Sequence, residues 1–146
     1  MITKRQERYW KQLDRNIDKA IKNNFSDNFM SNAKWLRLIH DLVENIHLFN
    51  HIQVKKVQSE EVGILRFDET TIYGFDYWRN GIEGNNSLGG WIIWKEIEYL
   101  NFPKEFLDAK GKVHYQDLDK IKEVINSVGQ FLLETDENFI KIIAYR

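Results

Sequence analysis

The hydrophobic period of this chain first changes near residue 50, and that change limits the folds open to it. Before it, apolar residues recur at helical spacing; after it, they alternate as far as Pro103. Residues 5–23 carry Tyr9, Trp10, Leu13, Ile17, Ala20 and Ile21 on one helical stripe, with Glu7/Lys11 and Asp18/Lys22 as favourable i,i+4 pairs on the polar side. Asn23, Asn24, Ser26, Asp27 and Asn28 then break the pattern. A second helix follows. Ser31 is a good N-cap, Trp35, Leu38, Ile39, Leu42, Val43 and Ile46 form a broad apolar stripe, and the end falls between Asn45 and Leu48.

Beyond the change, Ile52 and Val54 begin a first strand, Val62 to Asp68 a second, and Ile72 to Arg79 a third. Residues 80–90 (NGIEGNNSLGG) read as a mobile glycine-rich loop, longer than a tight hairpin requires. The run Gly89 to Pro103, GGWIIWKEIEYLNFP, reads as one continuous fourth strand. Alternation sorts it into a core face (Trp91, Ile93, Lys95, Ile97, Tyr99) and a second face (Ile92, Trp94, Glu96, Glu98, Leu100) that starts apolar and ends acidic. Pro103 closes it, Lys104 to Ala109 reads as a helical turn, and Gln116 to Glu134 as a third long helix that tolerates Gly129. Phe139 to Tyr145 is the last strand. The order ααββββαβ predicts an α+β fold: an antiparallel sheet of about five strands with helices packed mainly on one face. One domain spans 1–146, with 1–29 as a helical extension and 30–146 as the core.

At 146 residues such a domain can bury a core without staples, and with no cysteine it has neither disulfides nor thiol chemistry. No apolar run reaches the length of a membrane span, and the N-terminal segment lacks the apolar stretch of a secretory signal, so a cytoplasmic location is expected. The net charge of −1 conceals an asymmetry. Residues 1–56 hold 11 Lys/Arg against 6 Asp/Glu, whereas residues 60–98 hold eight acids against three bases. That second segment repels phosphates and attracts a basic partner.

Motifs that carry chemistry are sparse. His40, His47 and His51 share helical spacing, but HExxH is absent, and the macrodipole alone accounts for histidines near a helix C-terminus. Residues 84–90 lack the lysine of a phosphate loop, and a strand follows them rather than a helix. Glu96 and Glu98, roughly 7 Å apart on one strand face, could join Asp76 or Asp68 in a metal-dependent hydrolase or nuclease. The Glu-x-Lys order of restriction-type nucleases is not met, because Lys95 precedes Glu96. A third possibility is a small-ligand module in which residues 80–90 cover an aromatic pocket.

Tryptophan beside acidic groups is a common composition at protein interfaces, and Trp78 and Trp94 both share strand faces with acids. The expected contact set is therefore Asp68, Glu69, Asp76, Glu83, Glu96 and Glu98, with Trp78 or Trp94 as anchor.

Asn32-Ala33-Lys34-Trp35 at a helix start, followed by Gly89-Gly90 and Trp94-Lys95-Glu96-Ile97-Glu98-Tyr99-Leu100 before Pro103, resembles a family of small, uncharacterised bacterial proteins. These share an N-x-K-W helix and a K-E-I-E-aromatic strand. The likeness covers roughly residues 30–103 and brings no catalytic residues with it. In general character the chain also resembles immunity proteins of bacterial toxin systems, although it lacks the glycine–cysteine and proline signature of their commonest superfamily. That likeness implies a non-enzymatic protein, monomeric or weakly dimeric and without cofactor. It would neutralise a basic toxin domain by occlusion and bind neither nucleic acid nor membrane.

Overall fold

The computed structural model describes residues 3–75, 80–83 and 85–146. The fold is α+β. Helix α1 (Lys4–Asn24) is capped by Thr3, whose hydroxyl accepts from the Gln6 amide. Helix α2 (Asn32–Glu44) is capped by Ser31 in the same way at Lys34, and a 3-10 turn, Ile46–Leu48, extends it. Strands β1 (Ile52–Lys56) and β2 (Val62–Arg66) follow, then β3 (Ile72–Phe75), β4 (Asn80–Glu83) and β5 (Asn85–Asn86). Next come β6 (Ile92–Ile93), a second 3-10 turn (Trp94–Glu96) and β7 (Ile97–Pro103). The chain closes with β8 (Glu105–Leu107), β9 (Val113–Tyr115), α3 (Leu118–Val128), β10 (Leu133–Thr135) and β11 (Phe139–Ile143).

A six-stranded antiparallel sheet, in the order β10-β11-β7-β1-β2-β5, forms one layer. Its register alternates across the centre of the sheet. Ile142 faces Leu100, Leu100 faces Val54 and Ile52 faces Leu65 on the inner side, while Lys141, Asn101 and Gln53 form a row on the other. The inner residues join Trp35, Leu38, Ile39 and Leu42 of α2 and Ile121 and Ile125 of α3 in one core, so the helices cover one face. Helix α1 adds Ile17, which is fully buried in the same cluster. The polar segment after α1 is tied to the C-terminus. The Ser26 and Asp27 amides donate to the Arg146 carbonyl, and Phe29 donates to Ala144.

Four sequence expectations are corrected. Part of the predicted 80–90 loop is strand: β4 lies between β3 and β6 in a separate three-stranded sheet. Gly81 makes this approach possible, since a Cβ there would collide with the Ile92 carbonyl oxygen and lie 2.8 Å from Ile93 Cα. The fourth strand is not continuous, because the 3-10 turn at Trp94–Glu96 interrupts it. Residues 104–109 are not helical; β8 and β9 form a hairpin instead. The third helix stops at Gly129, ahead of the sheet-edge strand β10.

Candidate functional site

The interruption at Trp94 changes the meaning of the second strand face. Three residues of 3-10 conformation add about one full turn, so alternation does not carry through. Ile92, Ile93 and Trp94 are all buried, and beyond the turn Leu100 and Phe102 point into the core. Trp94 is 1% exposed and stacks on Trp35, with centroids 6.0 Å apart and rings 16° from parallel. It is a core residue and offers no surface to a partner. Tyr99, assigned to the core by alternation, lies on the outer face, where Lys141 Nζ sits 4.4 Å from its ring centroid.

Glu96 is also buried, at 1% exposure. Its Oε2 accepts from the Ile93 amide at 2.9 Å and its Oε1 from Gln58 Nε2 at 2.8 Å, with Lys56 Nζ 3.4 Å away. A register shift between Lys55 and Lys56 sets these consecutive lysines against β7 and the turn before it. Lys55 Nζ meets Glu98 Oε1 at 2.8 Å. Both carboxylates are therefore engaged internally and are not free contacts for a basic partner. The same engagement counts against their use as metal ligands in a hydrolase. No group of three metal-ligating side chains gathers among the described residues. Asp76 and Trp78 lie outside the described residues.

Asp68, Glu69 and Glu83 behave differently, and the fold brings them together. Asp68 and Glu69 occupy the turn between β2 and β3, and Glu83 ends β4 directly opposite Ile72, the first residue of β3. All three are exposed. Among the described residues, none has a basic side chain within ion-pair distance. Asp68 organises its turn, accepting from the Thr70 hydroxyl at 2.6 Å and the Thr70 amide at 2.8 Å. Those bonds hold its carboxyl below the ordinary carboxylate range, hydroxyl first. Beside these acids Ile72 is 57% exposed. The predicted charge thus survives at one end of the β3–β4 pair and disappears from the Trp94–Glu98 run.

Sequence reasoning missed a second feature. Asp108 and His114, six residues apart on the hairpin, pair at 2.7 Å beside a cavity that also takes in Arg66 and His47. The available signal was the Asp-x-x-Gly turn at 108–111, which marks a hairpin rather than a helical turn. No helix among the described residues is long and apolar enough to cross a membrane. No family model, curated protein or solved structure matches the chain.

Proposed function

We propose that the protein acts by binding a basic protein partner, as an immunity protein that occludes a cognate bacterial toxin. The contact is made at the acidic end of β3 and β4. One observation supports this reading: three exposed carboxylates with no counter-ion among the described residues, Asp68, Glu69 and Glu83, border an exposed isoleucine, Ile72. Unpaired surface charge steers an oppositely charged partner, and a flanking apolar side chain gives the docked complex desolvated contact area. Glu96, Glu98 and Trp94 have no part in the contact.

The test is titration calorimetry and stopped-flow association with the product of the adjacent gene, alongside co-expression to score protection from its toxicity. Binding is expected to weaken by about tenfold in the Glu69→Lys/Glu83→Lys double variant, mainly through a slower, less salt-sensitive association rate. A neighbouring gene product that neither binds nor is neutralised would remove the proposal.

A further inference from the structure

The hairpin β8–β9 stands apart from the main sheet, and Gln116 fixes its position. That side chain is buried, accepts from the His51 amide at 3.0 Å and donates to the carbonyls of His51 and Pro103. On the inward side of the hairpin, Phe106 stacks on His51 at 4.7 Å and on His114 at 5.4 Å, both within 20° of parallel. Between this stack, the 3-10 turn after α2 and the end of β2 lies a cavity of about 640 Å³. Its size falls in the range of small-molecule sites.

The lining divides by chemistry. Phe49 and Phe67 are buried and form an apolar floor, and Tyr115, 65% exposed, stands at the hairpin side with its ring available for stacking. Nitrogen-bearing side chains line the same space from three separate elements: Arg66 from β2, His47 from the 3-10 turn and His114 from β9. Arg66 is exposed and has no acidic partner within ion-pair distance among the described residues. The one carboxylate in the lining is already occupied. Asp108 Oδ1 accepts from the Lys110 and Lys112 amides at 2.8 and 2.9 Å, and Oδ2 pairs with His114 Nε2. With Asp108 ionised, Nε2–H of His114 donates to it, so Nδ1 of the neutral ring is an acceptor and can donate to an anionic ligand only in the imidazolium form.

We propose that this cavity binds a phosphate monoester carried on a flat aromatic body, a ligand the size of a mononucleotide. A guanidinium without a carboxylate partner is matched to phosphate oxygens, and His47, together with His114 in its imidazolium form, can add N–H donors from other elements of the lining. The aromatic floor and Tyr115 receive the ring. The site is independent of the acidic end of β3 and β4, so either proposal can fail without the other.

The experiment titrates the full chain with adenosine monophosphate and phenyl phosphate, followed by amide chemical shifts and calorimetry. Adenosine, benzoate and inorganic phosphate are the comparison ligands. Both phosphate esters are expected to saturate, with shifts concentrated at residues 46–50, 66–67 and 106–115. Arg66→Ala is expected to weaken binding at least tenfold, and Tyr115→Ala severalfold. Both side chains are exposed, so thermal unfolding should show that the variants remain folded. No saturation by either ester at millimolar concentration would overturn the proposal, as would undiminished binding by Arg66→Ala. Adenosine or benzoate binding as tightly as the esters would overturn the phosphate assignment. Inorganic phosphate doing so would overturn the aromatic one.

Discussion

Glu96 carries its charge almost entirely out of water, and its three partners make that tolerable. The Ile93 amide and the Gln58 amide group donate to it, and Lys56 supplies opposite charge. Truncation would leave a largely buried ammonium and a buried backbone donor without their acceptor. Glu96→Ala is therefore expected to cost about 3 kcal/mol. Glu98 pairs with Lys55 at a wetter position, where the two side chains keep 18% and 14% of their accessibility, and its removal should cost only about 1 kcal/mol. Urea titration of both variants checks the order; equal midpoints would show that the buried network adds nothing. At this scale the sequence is a poor guide. Glu96 and Glu98 look alike in it, a lysine stands near each of them, and only the bulge between Lys55 and Lys56 decides which carboxylate is sealed in. Trp94 was ambiguous for a related reason, since its partner Trp35 lies 59 positions away in sequence on α2.

Elements with a long, uninterrupted period were legible, and several short ones were not. The stripes of α1 and α2 and the alternation of β1, β2 and β11 translate directly into the observed elements, because each runs five residues or more. The short strands β4, β8 and β9, of three or four residues, hold too few positions for a period to register. Their existence depends on pairing with distant segments. In β4 this dependence has a steric consequence. Gly81 pairs with Ile93, and a methyl group at residue 81 would meet backbone atoms of Ile92 and Ile93 that have no room to shift. Gly81→Ala should destabilise by about 2–3 kcal/mol. Gly90, at φ +70° with open space around it, supplies the contrast: an alanine there meets only the left-handed backbone penalty of about 1 kcal/mol. Chemical denaturation of the pair distinguishes close strand approach from simple backbone freedom. If Gly90→Ala proved the more damaging, the three-stranded sheet would not be packed as described.

The whole molecule is held together by contacts between segments distant in sequence, and the β8–β9 hairpin meets the rest of the fold beside the start of β1. Helices α2 and α3 lie over the sheet, α1 adds Ile17 to their core, and the last residues bind the segment after α1. Two helices on one face of an antiparallel sheet could be foreseen from the order of periods. The second, smaller sheet and the projecting hairpin could not, because both depend on which short strands find each other. The hairpin is anchored through His51, and this makes stability depend on pH. His51 is 6% exposed, stacked against Phe106, and its Nδ1 is buried without a hydrogen-bond partner among the described residues. Burial, followed by the nearby positive charge of Arg66, holds its pKa below the ordinary imidazole value of about 6.5. The folded protein thus resists a proton that the unfolded chain accepts. Where the unfolded state binds more protons, stability rises with pH. Its contribution is accordingly complete above the unfolded value and declines as pH falls below it, until the folded imidazole also becomes charged. His51→Phe keeps a flat ring against Phe106 and leaves the residue's backbone bonds to Gln116 in place, but it cannot titrate. Urea unfolding of the wild type and this variant between pH 7.5 and pH 5 isolates the effect from the other histidines and the carboxylates, which both proteins share. The wild type should lose more stability than the variant across that interval; parallel curves would mean that His51 takes up its proton as readily in the folded protein as in the unfolded chain.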